Sequence, residues 1–309
     1  MARNRSLGVF DFDGTVANTF ADSPNGINVT VATTEAVKQI FGEEGFAVFM
    51  AQGGMKNREP GEMVQDIRRD LGLGDDVYHE TTKQFIDAKL GILIPEINEN
   101  WPEPAPGVKE LFMRAQEGSL PIDIAIASSG HDGFIEQWFR VNGIPRPNII
   151  VTSDIIRARP EPQRERFKPY TYQFAEVHRR WEGRSYNGSV DWNEELYTGR
   201  HHHKDKMFYV GDDPVKDGGL ALNVRIPYVH VPFSGRQFDP DETKGQLTIN
   251  DFTELTDILD AHSQALREGA SFAEVFFGRS DAELFPPRTP EGARGRMEEV
   301  SVNSRRERL

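Results

Sequence analysis

Two patterns of apolar residues follow one another along the chain. Short, almost continuous apolar runs predict buried strands, whereas apolar residues three and four positions apart predict helices. The runs predicted as strands are residues 7–10, 122–127, 148–152, 206–210 and 227–231. The helices predicted among the later strands are residues 108–116, 134–141, 169–180 and 251–267. This alternation predicts an α/β fold in which a Rossmann-like parallel sheet carries helices on both faces.

The segment between the first two predicted strands shows only the helical pattern. Its predicted helices run from Thr34 to about Gly42, from Pro60 to about Gly72, and over residues 76–90. A Pro-rich stretch then leads back into the α/β part, and such a stretch is typical of a stiff connection. Ligands of parallel sheets bind at the carboxyl ends of the strands. Because residues 19–103 leave and rejoin the core at that edge, we expect them to form a mainly helical cap domain that acts as a lid.

The predicted core is therefore discontinuous and comprises residues 1–18 and 104–270. Residues 181–205 are polar and are predicted to form a surface loop within it. Residues 286–309 are rich in Arg, Glu, Pro and Gly, and we expect this tail to be disordered.

Composition narrows the class of protein. The 309 residues carry a formal net charge of −13, which argues against nucleic acid or an anionic membrane as a partner. The lack of cysteine excludes disulfides and thiolate chemistry. No apolar stretch approaches the roughly 20 residues of a membrane span, and the first apolar run is too short for a signal peptide. We expect a cytoplasmic protein, monomeric or homodimeric, that acts on a small molecule.

Two aspartates directly follow the first predicted strand. The sequence VFDFDGTV over residues 9–16 places Asp11 and Asp13 at the carboxyl end, and Gly14 allows the backbone to approach a ligand closely. Two carboxylates in this position can hold a hard cation, attack an electrophile or transfer a proton. The alternative is an acidic turn that only caps a helix.

Hydroxyl groups follow the strand at residues 122–127. Ser128, Ser129 and Gly130 precede a predicted helix, so their hydroxyl and N–H groups can bind a phosphate. An N-cap serine is the alternative, and the two roles are compatible.

A second acidic segment follows the strand at residues 206–210. Asp212 at the strand edge can join Asp11 around a cation, and Asp213 or Asp217 can bind the cation directly or through water. The alternative for Asp213 is that it caps a helix beginning at Pro214.

A lysine stands before the helix predicted at residues 169–180. Lys168 can offset the repulsion between the carboxylates and pair with a phosphoryl group. A solvated surface lysine is the alternative, and Arg159, Lys204 and Lys206 are the rival cations.

The order of these segments resembles the haloacid dehalogenase superfamily. The resemblance rests on Asp-x-Asp-Gly-Thr from Asp11, a strand-edge serine, a Lys-Pro pair and a second acidic loop that ends at Asp217. It spans about two thirds of the chain. The position of the insert is similar to the cap of the phosphoglycolate phosphatase and β-phosphoglucomutase branch.

The resemblance implies a Mg²⁺-dependent phosphatase with an aspartyl-phosphate intermediate. Asp11 would be the nucleophile and Asp13 the general acid and base. Gly14, Thr15, Ser128, Ser129, Gly130 and Lys168 would form the phosphate site, in which Thr15 also positions Asp13. The Mg²⁺ ligands would be drawn from Asp11, the Asp13 carbonyl, Asp212, Asp213 and Asp217.

Other functions stay open at this point. A sugar phosphomutase shares Asp11 and Asp13 and differs in the cap. A phosphonate hydrolase would need a cap lysine such as Lys56, and a binding protein could keep the fold without catalysis. In a phosphatase, Lys56 or Arg58 could bind a second anionic group of the substrate. The sequence does not identify the phosphate ester.

Overall fold

A computed structural model describes residues 5–55, 59–76, 79–98, 101–157, 168, 171–183, 203–235 and 246–285. The predictions for Lys56, Arg58, Arg159 and the tail at 286–309 lie outside these residues, as does most of the loop predicted at 181–205. No helix among the described residues is long and apolar enough to cross a membrane.

A parallel sheet forms the centre of the protein, which confirms the predicted α/β class. In the described residues the strand order is β3-β2-β1-β4-β5-β6, and every pairing is parallel. The strands are β1 (Ser6–Phe10), β2 (Ile122–Ala127), β3 (Ile149–Val151), β4 (Met207–Gly211), β5 (Tyr228–His230) and β6 (Leu247–Thr248). The sequence pattern missed only β6 of these, since a two-residue strand carries no period of its own.

The register of the central strands fixes the edge at which polar residues gather. Phe10 at the end of β1 is level with Ile126 of β2 and with Val210 of β4. Because parallel strands end at the same edge, the next residues of the three strands come together there.

Successive residues of β1 point to opposite faces of the sheet, and both faces are buried. Leu7 and Val9 belong to one apolar cluster, whereas Phe10 belongs to the other. This explains why the strands read as continuous apolar runs. Phe272 lies beyond the predicted core boundary at residue 270, yet it is buried with its ring 4.5 Å from that of Phe208.

Helices cover the two faces and the edge of the sheet. Those that follow the insert are α4 (Val108–Glu117), α5 (Asp132–Asn142), α6 (Ser153–Arg157), α7 (Tyr172–Trp181), α8 (Asp217–Val224), α9 (Phe252–Ala261), α10 (Ser263–Glu268), α11 (Phe272–Phe277) and α12 (Asp281–Leu284). Short 3₁₀ turns lie at Ile94–Glu96, Lys204–Lys206 and Pro232–Ser234. The helix predicted at 251–267 is divided at His262, and the helix predicted from Pro214 begins at Asp217 instead.

The insert contains the helices α1 (Val29–Ala51), α2 (Pro60–Asp70) and α3 (Glu80–Leu93). The predicted start of the first helix at Thr34 was wrong, because Asn28 caps it by accepting a hydrogen bond from the N–H of Val31 at 2.9 Å. Gly42 does interrupt the helix, with φ of 67°, but the chain continues as a helix to Ala51.

The two connections of the insert run side by side and form a neck, residues 16–18 and 103–105. Ala17 pairs with Pro104 in an antiparallel bridge. The N–H of Asn18 donates to the carbonyl of Glu103 at 2.9 Å, and the N–H of Ala105 donates to that of Val16 at 2.9 Å. These hydrogen-bonded segments flank the insert, and the division into a cap at 19–103 and a core stays a prediction.

Candidate active site

The loop after β1 is held by its backbone and by one buried ring. The N–H of Asp11 donates to the carbonyl of Val210 at 2.8 Å, which extends the strand pairing by one residue. Phe12 is fully buried with its ring 5.1 Å from Trp138. Asp11 and Asp13 on either side of Phe12 line a cleft below the cap. A turn that caps a helix does not account for both carboxylates facing this cleft.

Gly14 is required by the backbone and by its neighbour. Its φ is 80°, a left-handed conformation that favours glycine, and a Cβ atom there would lie 2.6 Å from Oδ2 of Asp212. Its N–H donates to the carbonyl of Ala17 at 2.8 Å. The absence of a side chain at Gly14 therefore allows the Asp212 carboxylate to lie close to the backbone of this loop.

Lys168 lies in the site, with its side chain 3% exposed. Its ammonium group donates to Oδ1 of Asp11 and to Oδ1 of Asp217, the latter at 2.7 Å, and lies 5.3 Å from the ring centre of Tyr209. Burial lowers the pKa of Lys168, but the charges of the two aspartates outweigh burial and raise that pKa well above its ordinary value.

The rival lysines lie elsewhere. Lys204 and Lys206 immediately precede β4, so they lie at the amino end of the strand whose carboxyl end carries Asp212.

Three buried carboxylates meet beside Lys168. One oxygen each from Asp11, Asp212 and Asp217 lies within 4.8 Å of the others. Burial raises the pKa of Asp11 to about 6, and the charges of Asp212 and Asp13 add to this effect while Lys168 opposes it. Burial also raises the pKa of Asp217 to about 7 against the effect of Lys168. A set of oxygen donors with this much repulsion fits a hard divalent cation such as Mg²⁺.

The side chains of Asp213 and Asp13 make hydrogen bonds outside the cluster of Asp11, Asp212 and Asp217. Oδ1 of Asp213 accepts hydrogen bonds from the N–H groups of Val215 at 3.0 Å and Lys216 at 2.9 Å, so this carboxylate closes the turn before α8. Oδ2 of Asp13 accepts a hydrogen bond from the hydroxyl of Ser128 at 3.3 Å. Neither side chain belongs to the three-carboxylate cluster found among the described residues.

The loop after β2 contacts Asp13 directly. Ser128 is fully buried, and its hydroxyl also accepts a hydrogen bond from the N–H of Gly130 at 2.8 Å. A Cβ atom at Gly130 would lie 2.9 Å from Oδ2 of Asp13. The Ser129 carbonyl accepts a hydrogen bond from Ser153 at 2.8 Å. The loop is therefore packed against the carboxylate that it faces.

Thr15 does not hold Asp13 by a hydrogen bond. Its hydroxyl is buried and has no hydrogen-bond partner among the residues that the structure describes. Its N–H donates to the carbonyl of Phe12 at 3.3 Å, so Thr15 shapes the loop through its backbone.

The cap contributes a wall that sequence reasoning did not identify. The cleft is open to solvent and is lined on the cap side by Thr33, Glu59, Met63, Phe85 and Lys89. The missed signal was present in α3, because Lys89 follows Phe85 by four residues and precedes Leu93 by four. A lysine on the apolar side of an amphipathic helix is a buried cation. Burial of a charge costs free energy unless the charge is paired, so such a residue requires an explanation.

Glu59 reaches from the cap to the core. Its Oε2 accepts a hydrogen bond from the Ser153 hydroxyl at 3.4 Å. Burial raises the pKa of Glu59, while Lys216 and Arg157 oppose the rise. No sequence pattern marks this residue, since a single glutamate before Pro60 is a common helix start.

Solved structures give the comparison for this fold. No family model matches the chain, and no curated protein matches it. A haloacid dehalogenase hydrolase of family IA from Entamoeba histolytica superposes with a TM-score of 0.52 at 16% identity, over 85% of this chain and 100% of the other. The β-phosphoglucomutase of Clostridium difficile superposes with a TM-score of 0.50 at 12% identity, over 85% and 97%.

A predicted phosphoglycolate phosphatase from Haemophilus somnus superposes with a TM-score of 0.50 at 15% identity, over 84% of this chain and 99% of the other. The chain has the haloacid dehalogenase fold. Likeness at this level of identity establishes the fold alone, and the structural alignment spans nearly the full length of each of these neighbours.

Proposed function

We propose that the protein is a Mg²⁺-dependent phosphatase that hydrolyses a small phosphorylated metabolite through an aspartyl-phosphate. The observation that carries this proposal is the contact of Lys168 with Asp11 inside a cluster of buried carboxylates, with Asp13 beside it. Phosphoryl transfer asks a protein mainly for positioning and for neutralisation of charge.

In the proposed reaction a carboxylate oxygen of Asp11 attacks phosphorus and forms the acyl phosphate, and the bond to the ester oxygen breaks. Asp13 donates its proton to that oxygen, which leaves as the alcohol. In the second half a water attacks phosphorus, Asp13 takes the proton of the water, and the Asp11 carboxylate is regenerated with release of phosphate. Lys168 neutralises charge on the phosphoryl oxygens.

The residues that would hold Mg²⁺ are Asp11, Asp212 and Asp217, because their oxygens converge. Bound there, the ion would neutralise charge on the phosphoryl group. The Asp213 side chain is engaged with backbone N–H groups, and the role predicted for the Asp13 carbonyl stays a prediction.

The test is a panel of small phosphate esters assayed with Mg²⁺ for wild-type protein and Asp11→Asn. We expect turnover by the wild type and a loss of at least about a thousandfold in the variant, by analogy with removal of other catalytic nucleophiles. Asp257→Asn, on the exposed side of α9, is the matched control and should keep full activity. Near-wild-type turnover by Asp11→Asn, or an inert wild type, would refute the proposal.

The phosphomutase alternative uses the same Asp11 and Asp13. A β-sugar 1-phosphate assayed with and without a bisphosphate primer separates the two, because only a mutase gives a primer-dependent isomer. The cytoplasmic location, the monomeric or dimeric state, the small phosphorylated substrate and the lack of nucleic-acid and membrane partners stay predictions from the sequence.

A further inference from the structure

A buried lysine of the cap lines the cleft and has no hydrogen-bond or ion-pair partner among the residues that the structure describes. Lys89 is 9% exposed and lies on the apolar side of α3 between Phe85 and Leu93. Among the described residues it makes no hydrogen bond and no ion pair, in contrast to Lys168, which contacts two carboxylates. An unpaired ammonium group in such surroundings costs free energy, so a partner is missing.

The surroundings of Lys89 indicate where that partner would lie. Burial lowers the pKa of Lys89, while the charges of Asp13 and Glu59 raise it. Lys89, Asp13 and Glu59 line the same cleft, and no ion pair joins Lys89 to either carboxylate among the described residues. Glu59 has its own compensation from Lys216 and Arg157, and it bonds to Ser153. Lys89 thus remains available on the Asp13 side of the cleft.

A second polar atom faces the same cleft from the core. His131 lines the cleft and is 3% exposed, and its Nδ1 is hydrogen-bonded to Oδ1 of Asp154 at 2.9 Å. Its Nε2 is buried and has no hydrogen-bond partner within the described part of the chain. The charge of Lys89 helps to lower the pKa of His131, after the larger effect of burial. Lys89 and His131 both line the cleft.

We infer that Lys89, next to His131, forms a subsite for an oxyanion carried by the leaving group of the substrate. The ammonium group of Lys89 supplies the charge. The ring of His131 donates its Nδ1–H to Asp154, so Nε2 is an acceptor and can take a hydrogen bond from a hydroxyl group beside the oxyanion. The inference rests on the proposed function, in which Asp13 protonates the leaving oxygen. Lys89 and Asp13 line one cleft, and Asp13 faces the leaving oxygen in the proposed reaction, so the oxyanion belongs to the alcohol part, a few bonds from the phosphate. The substrate class is therefore a small phosphate ester with a second anionic group.

Matched esters test this inference on the full chain with Mg²⁺. The probes are phosphorylated 3-hydroxypropanoate, its primary amide, and the bisphosphate of propane-1,3-diol, which compare a carboxylate, a neutral group and a second phosphate. We expect kcat/KM of the wild type to favour one or both anionic esters over the amide by about tenfold or more, the range of a charge-assisted hydrogen bond.

Lys89→Met should remove this preference, so that kcat/KM falls by about tenfold or more further for the favoured anionic ester than for the amide. The methionine suits the apolar side of α3, so the variant should melt at or above the wild-type temperature. Lys83→Met, an exposed lysine on the same helix, is the control and should keep the preference. An equal loss of kcat/KM on all three esters in Lys89→Met would assign Lys89 to the phosphoryl group and overturn the inference. Equal kcat/KM of the wild type on the three esters would also overturn it.

Calorimetric measurements of ester binding test the subsite independently of the proposed phosphatase activity. The probes are titrated calorimetrically with Mg²⁺ into Asp11→Asn and into Asp11→Asn with Lys89→Met, neither of which needs turnover. Tighter binding of an anionic ester than of the amide, lost with Lys89, supports the subsite even if the wild type proves inert. Equal affinities overturn the subsite even if the wild type is an active phosphatase.

Discussion

The ammonium group of Lys168 lies 2.7 Å from Oδ1 of Asp217, and both side chains are almost fully buried. The contact joins the segment before α7 to the acidic loop after β4. The same ammonium group contacts Asp11 after β1, so one cation holds the ends of two neighbouring strands. Removing one partner of a buried charge cluster leaves the other charges uncompensated.

Lys168→Met should therefore cost both stability and activity. We expect a loss of about 3–5 kcal/mol in the free energy of unfolding at neutral pH without metal, as for other broken buried ion pairs. The phosphatase rate should fall by at least about a hundredfold. Urea unfolding and initial rates measure the two effects. Lys206→Met, before β4, is the control, and an equal effect there would contradict the assignment of Lys168.

Mg²⁺ should stabilise the folded protein through the three-carboxylate cluster. At a Mg²⁺ concentration about a hundred times Kd, the free energy of unfolding should rise by about 2.7 kcal/mol. Asp217→Asn and Asp212→Asn should reduce this stabilisation, whereas Asp213→Asn should retain it, because an asparagine Oδ1 can still accept the two hydrogen bonds of the turn before α8. Thermal melts over a Mg²⁺ series test this contrast. An unchanged response in Asp217→Asn would place the ion elsewhere.

The metal-free protein should lose stability as the pH rises from about 4 to about 7. The pKa of Asp11 increases from 3.8 to about 6 on folding, and that of Asp217 from 3.8 to about 7. The folded state then binds more protons than the unfolded state over this range, so the free energy of unfolding falls with pH. For Asp11 the change corresponds to about 3 kcal/mol as an upper value.

Urea unfolding at a series of pH values measures this trend. Asp11→Asn should flatten it, and saturating Mg²⁺ should oppose it, because the ion favours the ionised carboxylates. A free energy of unfolding that rises over the same range in the metal-free protein would contradict the burial of these groups.

Gly14→Ala should disturb the metal cluster beyond the strain of its backbone. The new methyl group would collide with the Asp212 carboxylate at 2.6 Å. Gly26→Ala is a matched control, because Gly26 has a similar φ of 76° but a Cβ atom there would meet nothing within 4 Å. Both variants should lose about 1 kcal/mol from backbone strain. Only Gly14→Ala should also lose Mg²⁺ affinity and activity, and equal behaviour of the two would refute this role.

The sheet was predictable because its strands are buried on both faces, so that their apolar runs stand out from the helices. Asp11, Ser128 and Asp212 were predictable as neighbours because each directly follows one of these runs. Lys168 had rivals in the sequence, and only the folded chain shows which lysine reaches the carboxyl edge.

Other features depend on contacts that sequence spacing does not contain. Asn28 and Thr34 are both plausible N-caps, and the choice follows from packing of the whole helix. Lys89 was not recognised because α3 was identified from its apolar residues, and a lysine among them was assigned no role. Its proposed role follows from its place in the same cleft as Asp13, which is a long-range relationship.

The neck has a mechanical consequence for the chemistry. Pro104 pairs with Ala17, and Ala17 in turn bridges Asp13, so a chain of backbone contacts runs from the returning connection to Asp13, the proposed general acid. Rotation of the cap about this neck would pull on the segment that carries the proton donor. A molecule whose binding closes the cap would then also change the orientation of Asp13. Binding of the substrate and orientation of the proposed proton donor would be coupled.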